Sequence, residues 1–372
     1  MAQKMKEHLN STKNSNIELL RMFCMFIIIL HHSVLYGGGT EQAFGLNKIF
    51  STIFYIGGKL GADCFMAISA YYMIDSKFKI KRIVNTWISV YFYQILFILL
   101  NIIFHFTTVG LKEVIELFFP VSYDAYWFAT AYIGVVAVSP FLNALIRQLN
   151  IKSYHLLLVI LSGMVMVPAT FLPGANTFLD KSHLILFILI YLIIGYYKKG
   201  YIRETISYRT VFLSSMSILI ILGIGILLIG HVTEISAIEN YSTYFYSGES
   251  FPMVIAAVSL ALWILGVQSK SNVIVNFISP GCFDVYLIHM NHLFYLWLWN
   301  ELVEVEKLLV RPDYPIVIVG WGLAIFCISL FIGNLRVIAT RKLINKLCDI
   351  SFLRKGENFI NQYFGFTSRL TR

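Results

Sequence analysis

The chain has 372 residues, of which 58% are hydrophobic and only 13% are charged, and its mean hydropathy is +0.73. Soluble domains carry about 25% charged residues, so this composition excludes an ordinary soluble protein and indicates a polytopic membrane protein. The formal net charge is +9. We attribute it to Lys and Arg in the loops, and since no basic-aromatic motif accompanies it, we expect no nucleic-acid partner.

Apolar runs of about 20 residues, the length that crosses a bilayer, predict about ten membrane spans. They are 17–36, 49–74, 83–104, 123–146, 154–172, 182–199, 209–230, 252–268, 282–299 and 314–335. We therefore predict an all-α fold, a polytopic transmembrane helix bundle over residues 1–335. The basic tail, 336–372, is predicted to form an interfacial helix on anionic lipid. Lys and Arg concentrate in alternate loops, which predicts that both termini are cytoplasmic.

The first span carries polar groups that are costly in a bilayer. Arg21 lies near its start, and the pair His31-His32 lies deep in the apolar run. Arg21 and His32 are eleven residues apart, so a helix places both on one face, about 16 Å apart along its axis. Intramembrane charges and imidazoles are rare and usually functional. His32 has the chemistry of a general base, although a polar packing contact is the alternative. Arg21 is suited to bind a phosphate group, or else extends to the headgroups with Glu18 as its partner.

The second span and the loop after it offer further charges. Lys59 and Asp63 are four residues apart and are predicted to pair on one helix face. In the following basic loop, Lys81 and Arg82 are candidates to contact an anionic donor near Arg21. The alternative for this loop is the ordinary excess of basic residues in cytoplasmic segments.

Two later spans contribute candidate substrate-binding residues. Tyr126 and Trp127 open the fourth span, where aromatic belts are expected, and can also stack on a sugar. In the ninth span, Tyr286 precedes His289, and His289 shares a predicted helix face with His292. No further ligands follow at a zinc-binding spacing, so we expect no metal.

These segments together resemble the acyltransferase 3 family of membrane O-acyltransferases. The Arg-x10-His signature of that family is matched by Arg21 and His32 in ELLRMFCMFIIILHHS. GADCFMAISAYY is similar to its second-span motif, with Ala70 in place of the usual Gly. The later motifs resemble WFATAY, SPFLN and Tyr286-Leu-Ile-His289 of this chain. The basic loop is also similar, but it lacks the Pro often found after it.

The resemblance implies acyl transfer, usually of acetyl, from cytoplasmic acetyl-coenzyme A to a hydroxyl of a cell-surface or lipid-linked glycan. It implies His32 and Arg21 as catalytic residues; Arg21, Lys81 and Arg82 for the acyl-CoA; and Asp63, Tyr126, Trp127, Tyr286 and His289 for the acceptor. The expected location is a bacterial plasma membrane, in contact with its lipids. We expect the stand-alone kind, without an extracytoplasmic esterase-like domain.

Two other classes of protein remain open at this point. A polytopic transporter also carries buried charges, and a lipid-linked polysaccharide polymerase has a similar number of spans. Neither depends on an acyl donor, so donor dependence separates them from an acyltransferase. The sequence does not indicate the oligomeric state.

Overall fold

The computed structural model describes residues 14–74, 76–121, 123, 125–173, 183–202, 205–268 and 270–364. Throughout this part of the chain the regular structure is helical, as predicted. The first helices are α1 (Ser15–Tyr36), α2 (Gly45–Tyr55), α3 (Gly57–Ile74), α4 (Ile80–Phe104), α5 (Leu111–Phe118), α6 (Trp127–Gln148), α7 (Ile151–Phe171) and α8 (His183–Lys198).

The second half of the chain has two more long helices before a series of short ones. Its α-helices are α9 (Tyr208–Thr233), α10 (Ser236–Asn240), α11 (Phe251–Gly266), α12 (Val273–Ile278), α13 (Cys282–His289), α14 (Tyr295–Trp297), α15 (Val305–Leu308), α16 (Tyr314–Cys348) and α17 (Ser351–Tyr363). Short 3-10 helices at Tyr241–Tyr246 and Ser279–Gly281 and a π-helix at Leu298–Leu302 join them.

The predicted fold class, an all-α bundle of membrane-spanning helices, is confirmed. Within the described residues, eight helical segments are long and apolar enough to cross a membrane, and two shorter apolar segments, His183–Lys198 and Val273–His289, accompany them. The predicted cytoplasmic placement of both termini stays a prediction.

Helix α1 packs against α3, α13 and α16. Glycines of α3 allow it to approach α1 closely. A Cβ at Gly61 would lie 2.7 Å from Cγ1 of Ile28 and 2.8 Å from the carbonyl of Cys24, and a Cβ at Gly57 would clash with the carbonyl of Ile27. Small residues at a helix interface serve this purpose in membranes, and here they bring α3 against the face of α1 that holds the histidines.

The ninth predicted span, 282–299, is not one helix. Helix α13 ends at His289. The apolar segment instead begins before residue 282, with α12 and the 3-10 helix at Ser279–Gly281. Asn291 ends the helix because its side chain accepts a hydrogen bond from the backbone N–H of Leu293 and donates one to Tyr126. The predicted shared face of His289 and His292 is therefore wrong: His289 is fully buried and His292 is exposed.

The last membrane helix continues past residue 335 without a break. Helix α16 reaches Cys348, and α17 follows as a separate amphipathic helix. Asn361 of α17 bonds both the N–H and the carbonyl of Phe78, and Glu357 accepts a hydrogen bond from the N–H of Ile80 at the start of α4. The C-terminal helix is therefore attached to the basic loop before α4.

Candidate active site

Helix α1 carries both of the principal candidate residues, with Arg21 near one end and His32 near the other. Arg21 is partly buried and donates a hydrogen bond to Oε1 of Glu18, 3.1 Å away. Glu18 is the partner named in the alternative interpretation of Arg21, in which its side chain extends to the headgroups. Each residue lines a separate cavity, which we name the Arg21 cavity and the His32 cavity.

His32 forms a hydrogen-bonded pair with the histidine at the end of α13. Its Nδ1 lies 2.9 Å from Nε2 of His289, and Nδ1 of His289 lies 2.6 Å from the carbonyl oxygen of Val285. Both side chains are buried. His31 does not join this pair, and its Nδ1 bonds the carbonyl of Tyr55 at 2.7 Å.

The partners of the histidine pair determine where the protons lie. A carbonyl oxygen only accepts, so we assign the proton of His289 to Nδ1, which leaves its Nε2 as an acceptor. Nδ1 of His32 must then donate to it. The remaining nitrogen of His32, Nε2, carries the lone pair, which is the arrangement that a general base requires.

The His32 cavity has a volume of about 330 Å³ and is mostly lined by apolar and aromatic side chains. Its wall includes the aromatic rings of Tyr36, Tyr55, Trp127, Tyr244, Tyr246 and Tyr286, together with those of Phe65, Phe128 and Phe283. The polar groups in its wall include His31, His32, Lys59 and Ser247. A cavity of this size with few polar groups is typical of a small-molecule site.

The Arg21 cavity has a volume of about 270 Å³ and lies toward the other end of α1. Its wall is more polar, with Glu18 and Arg21 of α1, Ser69 of α3, and Asn85 and Thr86 of α4. A mobile anionic ligand can therefore meet a guanidinium and several hydrogen-bonding groups here.

Of the predicted acceptor-binding residues, Trp127 and Tyr286 line the His32 cavity. Trp127 already contacts two groups there, since Nζ of Lys59 lies 4.4 Å from its ring centroid and the ring of His183 lies 4.2 Å away. The other three, Asp63, Tyr126 and His289, are buried outside that lining.

Tyr126 holds the end of the helix that carries His289. Its hydroxyl donates to the carbonyl of Leu287 at 2.9 Å and accepts from Nδ2 of Asn291 at 2.7 Å. These bonds connect α6 with α13 on both sides of its terminus. Tyr126 thus fixes the backbone position from which His289 contacts His32.

The ion pair predicted between Lys59 and Asp63 does not form. The carboxylate of Asp63 is completely buried, and among the described residues neither oxygen has a hydrogen-bond partner. Lys59 instead extends over Trp127. A lysine placed N-terminal to the acid at this spacing is the less favourable orientation of an i,i+4 pair, and the aromatic face offers the ammonium an alternative.

The two basic candidates of the loop before α4 have local partners. Nζ of Lys81 donates to Oδ1 of Asn345 at 2.7 Å, and Nη2 of Arg82 donates to Oγ of Ser76 at 3.0 Å. Neither side chain is in the wall of the Arg21 cavity. Their contact with a donor stays a prediction.

One buried ion pair was not predicted from the sequence. Arg336, assigned there to the basic tail, is buried in α16 and donates to both carboxylate oxygens of Asp284, at 2.6 Å each. In the structure, Arg336, Thr340 and Ile344 are buried residues at a spacing of four. This spacing indicates a helix that continues with one face against protein.

The family model of the acyltransferase domain, acyltransferase 3, matches residues 14–333. The match covers most of the chain, including every residue placed in the two cavities above. The protein is therefore a multi-pass membrane O-acyltransferase in the general sense. It belongs to the acyltransferase 3 family. The comparisons with curated proteins and with solved structures give no match.

Proposed function

We propose that this protein transfers an acetyl group from acetyl-CoA, held at the Arg21 cavity, to a hydroxyl of a cell-surface or lipid-linked glycan held in the His32 cavity. The observation that carries the proposal is the hydrogen-bonded chain from His32 through His289 to Val285. It leaves Nε2 of His32 as a base in a cavity large enough for a sugar.

His32 moves one proton in the proposed step. Nε2 of His32 takes the proton of the acceptor hydroxyl as its oxygen attacks the carbonyl carbon of the thioester. The new C–O bond forms and the C–S bond breaks. The sulfur leaves with the electron pair and receives the proton back from His32, so that the products are the ester and free coenzyme A.

The donor fits the distance between the two sites. Coenzyme A is anionic at its nucleotide end, which suits Arg21, and its pantetheine arm is uncharged. The arm extends about 20 Å, estimated as roughly six residues of extended chain. The axial separation of Arg21 and His32 is about 16 Å, so a phosphate near Arg21 allows the thioester to reach His32.

Aromatic side chains support a glycan as the acceptor. Tyr286 and Trp127 provide flat apolar surfaces in the His32 cavity, and nearby hydroxyls such as that of Ser247 provide hydrogen bonds. On the predicted topology this cavity faces away from the cytoplasm. A bacterial plasma membrane, where envelope glycans are assembled on that side, is the corresponding location.

The test is donor binding and slow thioester hydrolysis by the purified protein in nanodiscs. We expect Arg21→Ala to weaken acetyl-CoA binding and His32→Ala to remove about 99% or more of the hydrolysis, the range of a lost general base. The matched controls are Arg209→Ala and His155→Ala, exposed residues of α9 and α7.

The same measurement decides between the candidate classes. A folded wild-type protein that does not bind acetyl-CoA would favour the transporter or polysaccharide polymerase, since neither needs an acyl donor. Full hydrolysis in His32→Ala would reject His32 as the base.

A further inference from the structure

Within the described part of the chain, three side chains line both the Arg21 cavity and the His32 cavity, and all three are phenylalanines. They are Phe65 of α3, Phe128 of α6 and Phe283 of α13. The ring centroid of Phe128 lies 6.1 Å from that of Phe65 and 6.3 Å from that of Phe283. These separations are those of aromatic rings in direct contact.

The three rings lie at the boundary between the two cavities, on the direct route from the donor to the base. Every other described residue in the two walls belongs to one cavity only. Arg21 and Ser69 belong to the Arg21 cavity, and His32 and Lys59 belong to the His32 cavity. The rings carry no polar atom, so they offer no hydrogen bond to water or to the charged end of coenzyme A. The uncharged acyl and thioester end of a donor is the part that suits such an apolar constriction.

We propose that Phe65, Phe128 and Phe283 form an aromatic partition that the acyl end of the donor must part in order to reach His32, and that the partition limits the size of the acyl group. This inference rests on the proposed function for the identity of the donor. Phe128 is the fixed member, because it stacks on Tyr132 and also contacts Phe187. Phe65 has fewer ring neighbours and is the first member to substitute.

The partition can be tested without any acyl transfer. Two reporters line the Arg21 cavity: the native Cys282 and an engineered cysteine, Ser69→Cys. A charged, membrane-impermeant methanethiosulfonate is added to one side of membrane vesicles of known orientation, and peptide mass spectrometry then identifies the modified cysteine. In the otherwise unchanged protein we expect both reporters to react from one side only, the side to which Arg21 opens.

Opening the partition should expose the reporters to the opposite side. In Phe65→Ala and in the milder Phe65→Leu we expect labelling from the His32 side to rise by about tenfold or more, equivalent to a barrier lowered by about 1.4 kcal/mol. Phe97→Ala, a buried phenylalanine of α4 in neither cavity wall, is the matched control for folding and packing. The Leu variant keeps the test valid if the Ala variant does not fold.

Three labelling results would contradict the aromatic partition. Equal labelling from both sides before Phe65 is changed would show that no partition exists. No labelling from either side would show that the Arg21 cavity is closed to a soluble donor. An increase in Phe97→Ala as large as in Phe65→Ala would assign the effect to general loosening.

Acyl size is the second readout. We expect the ratio of kcat/KM for butyryl-CoA to that for acetyl-CoA to rise about tenfold in Phe65→Ala, since less ring must be displaced. An unchanged ratio with increased labelling would overturn size selection and leave the rings as a water barrier. Absence of acetyl-CoA binding would reject the proposed function, whereas the labelling results would still decide whether the partition exists.

Discussion

Arg336 and Asp284 form a completely buried ion pair that joins the last membrane helix to the short helix ending at His289. Nη2 of Arg336 donates to both carboxylate oxygens at 2.6 Å, and its Nη1 lies 3.4 Å from Oγ1 of Thr340. Asp284 immediately precedes Val285, whose carbonyl receives the proton of His289. The ion pair therefore holds α13 at the position from which it supports His32.

Breaking this pair on one side should destabilise the protein strongly. Arg336→Met leaves a buried carboxylate without its partner, and we expect a loss of about 3–5 kcal/mol in the free energy of unfolding. The double variant Asp284→Leu/Arg336→Met should recover most of that loss, because it removes both charges. Reversible unfolding in mixed detergent micelles measures both values.

The exposed Arg341 on the same helix provides the control for this pair. Arg341→Met should change the stability by less than about 0.5 kcal/mol, as surface substitutions usually do. The single variant Asp284→Leu completes the comparison. If the double variant lost as much free energy of unfolding as Asp284→Leu and Arg336→Met lose together when made singly, the pair would not be coupled.

His289 should act by positioning His32. His289→Leu removes the acceptor of the Nδ1–H of His32, and we expect kcat to fall by about tenfold, the value of one orienting hydrogen bond of about 1.4 kcal/mol. His289→Gln should restore part of this activity, because its amide oxygen can accept the same proton. The KM for the donor should stay unchanged in both variants.

The exposed His292 is the matched control for His289. His292→Gln should leave kcat and KM as they are. A purely structural role for His289 would lower the amount of folded protein equally in the Leu and Gln variants, with no difference in kcat between them.

Gly58 should tolerate no side chain, because a Cβ there would overlap the imidazole of His31. The ring centroid of His31 lies 5.2 Å from that of His32. A displaced His31 ring should therefore also move His32, the proposed base. We expect Gly58→Ala to lower the stability by about 1–3 kcal/mol, the usual cost of overpacking, and to reduce thioester hydrolysis. Thermal unfolding and the hydrolysis assay measure the two effects.

Gly225 of α9 provides the opposite case, since among the described residues no neighbouring atom lies within 4 Å of the position that a Cβ would take there. Gly225→Ala should stabilise the protein by up to about 1 kcal/mol, through the higher helix propensity of Ala. Equal effects at Gly58 and Gly225 would contradict the close approach between α1 and α3.

The attachment of the C-terminal helix should protect the basic loop. Asn361→Ala removes the acceptor of the Phe78 N–H, and hydrogen exchange of that amide should become about tenfold faster, equivalent to about 1.4 kcal/mol of local stability. The control is Gln362→Ala, an exposed neighbour on α17. Unchanged exchange at Phe78 in Asn361→Ala would show that α17 does not hold this loop.

The sequence predicts those features that depend on local pattern. The apolar runs locate the membrane helices because hydropathy is a local property, and the spacing of Arg21 and His32 places both on one face because helix geometry is regular. The ninth span shows the limit of this reasoning. Hydropathy alone extends it to 299, whereas the side chain of Asn291 ends the helix.

The parts of the site that depend on long-range contacts could not be predicted from one sequence. His32 and His289 are 257 residues apart, and the partner of Arg336 lies in a different helix. Their pairing is decided by the packing of α13 between α1 and α16. Similarly, nothing in the positions of Phe65, Phe128 and Phe283 along the chain indicates that their rings meet.

The interruption of the ninth span places the carbonyl end of a helix inside the membrane, next to the histidine pair. The aligned peptide dipoles of a helix amount to about half a negative elementary charge at this end. In the proposed reaction His32 becomes positively charged for part of the cycle, and its hydrogen bond connects that charge to His289, the last residue of α13. A continuous helix through this position would direct no such field at the pair. The broken helix therefore provides a fixed source of negative potential beside a buried imidazole, where a positive charge would otherwise be costly.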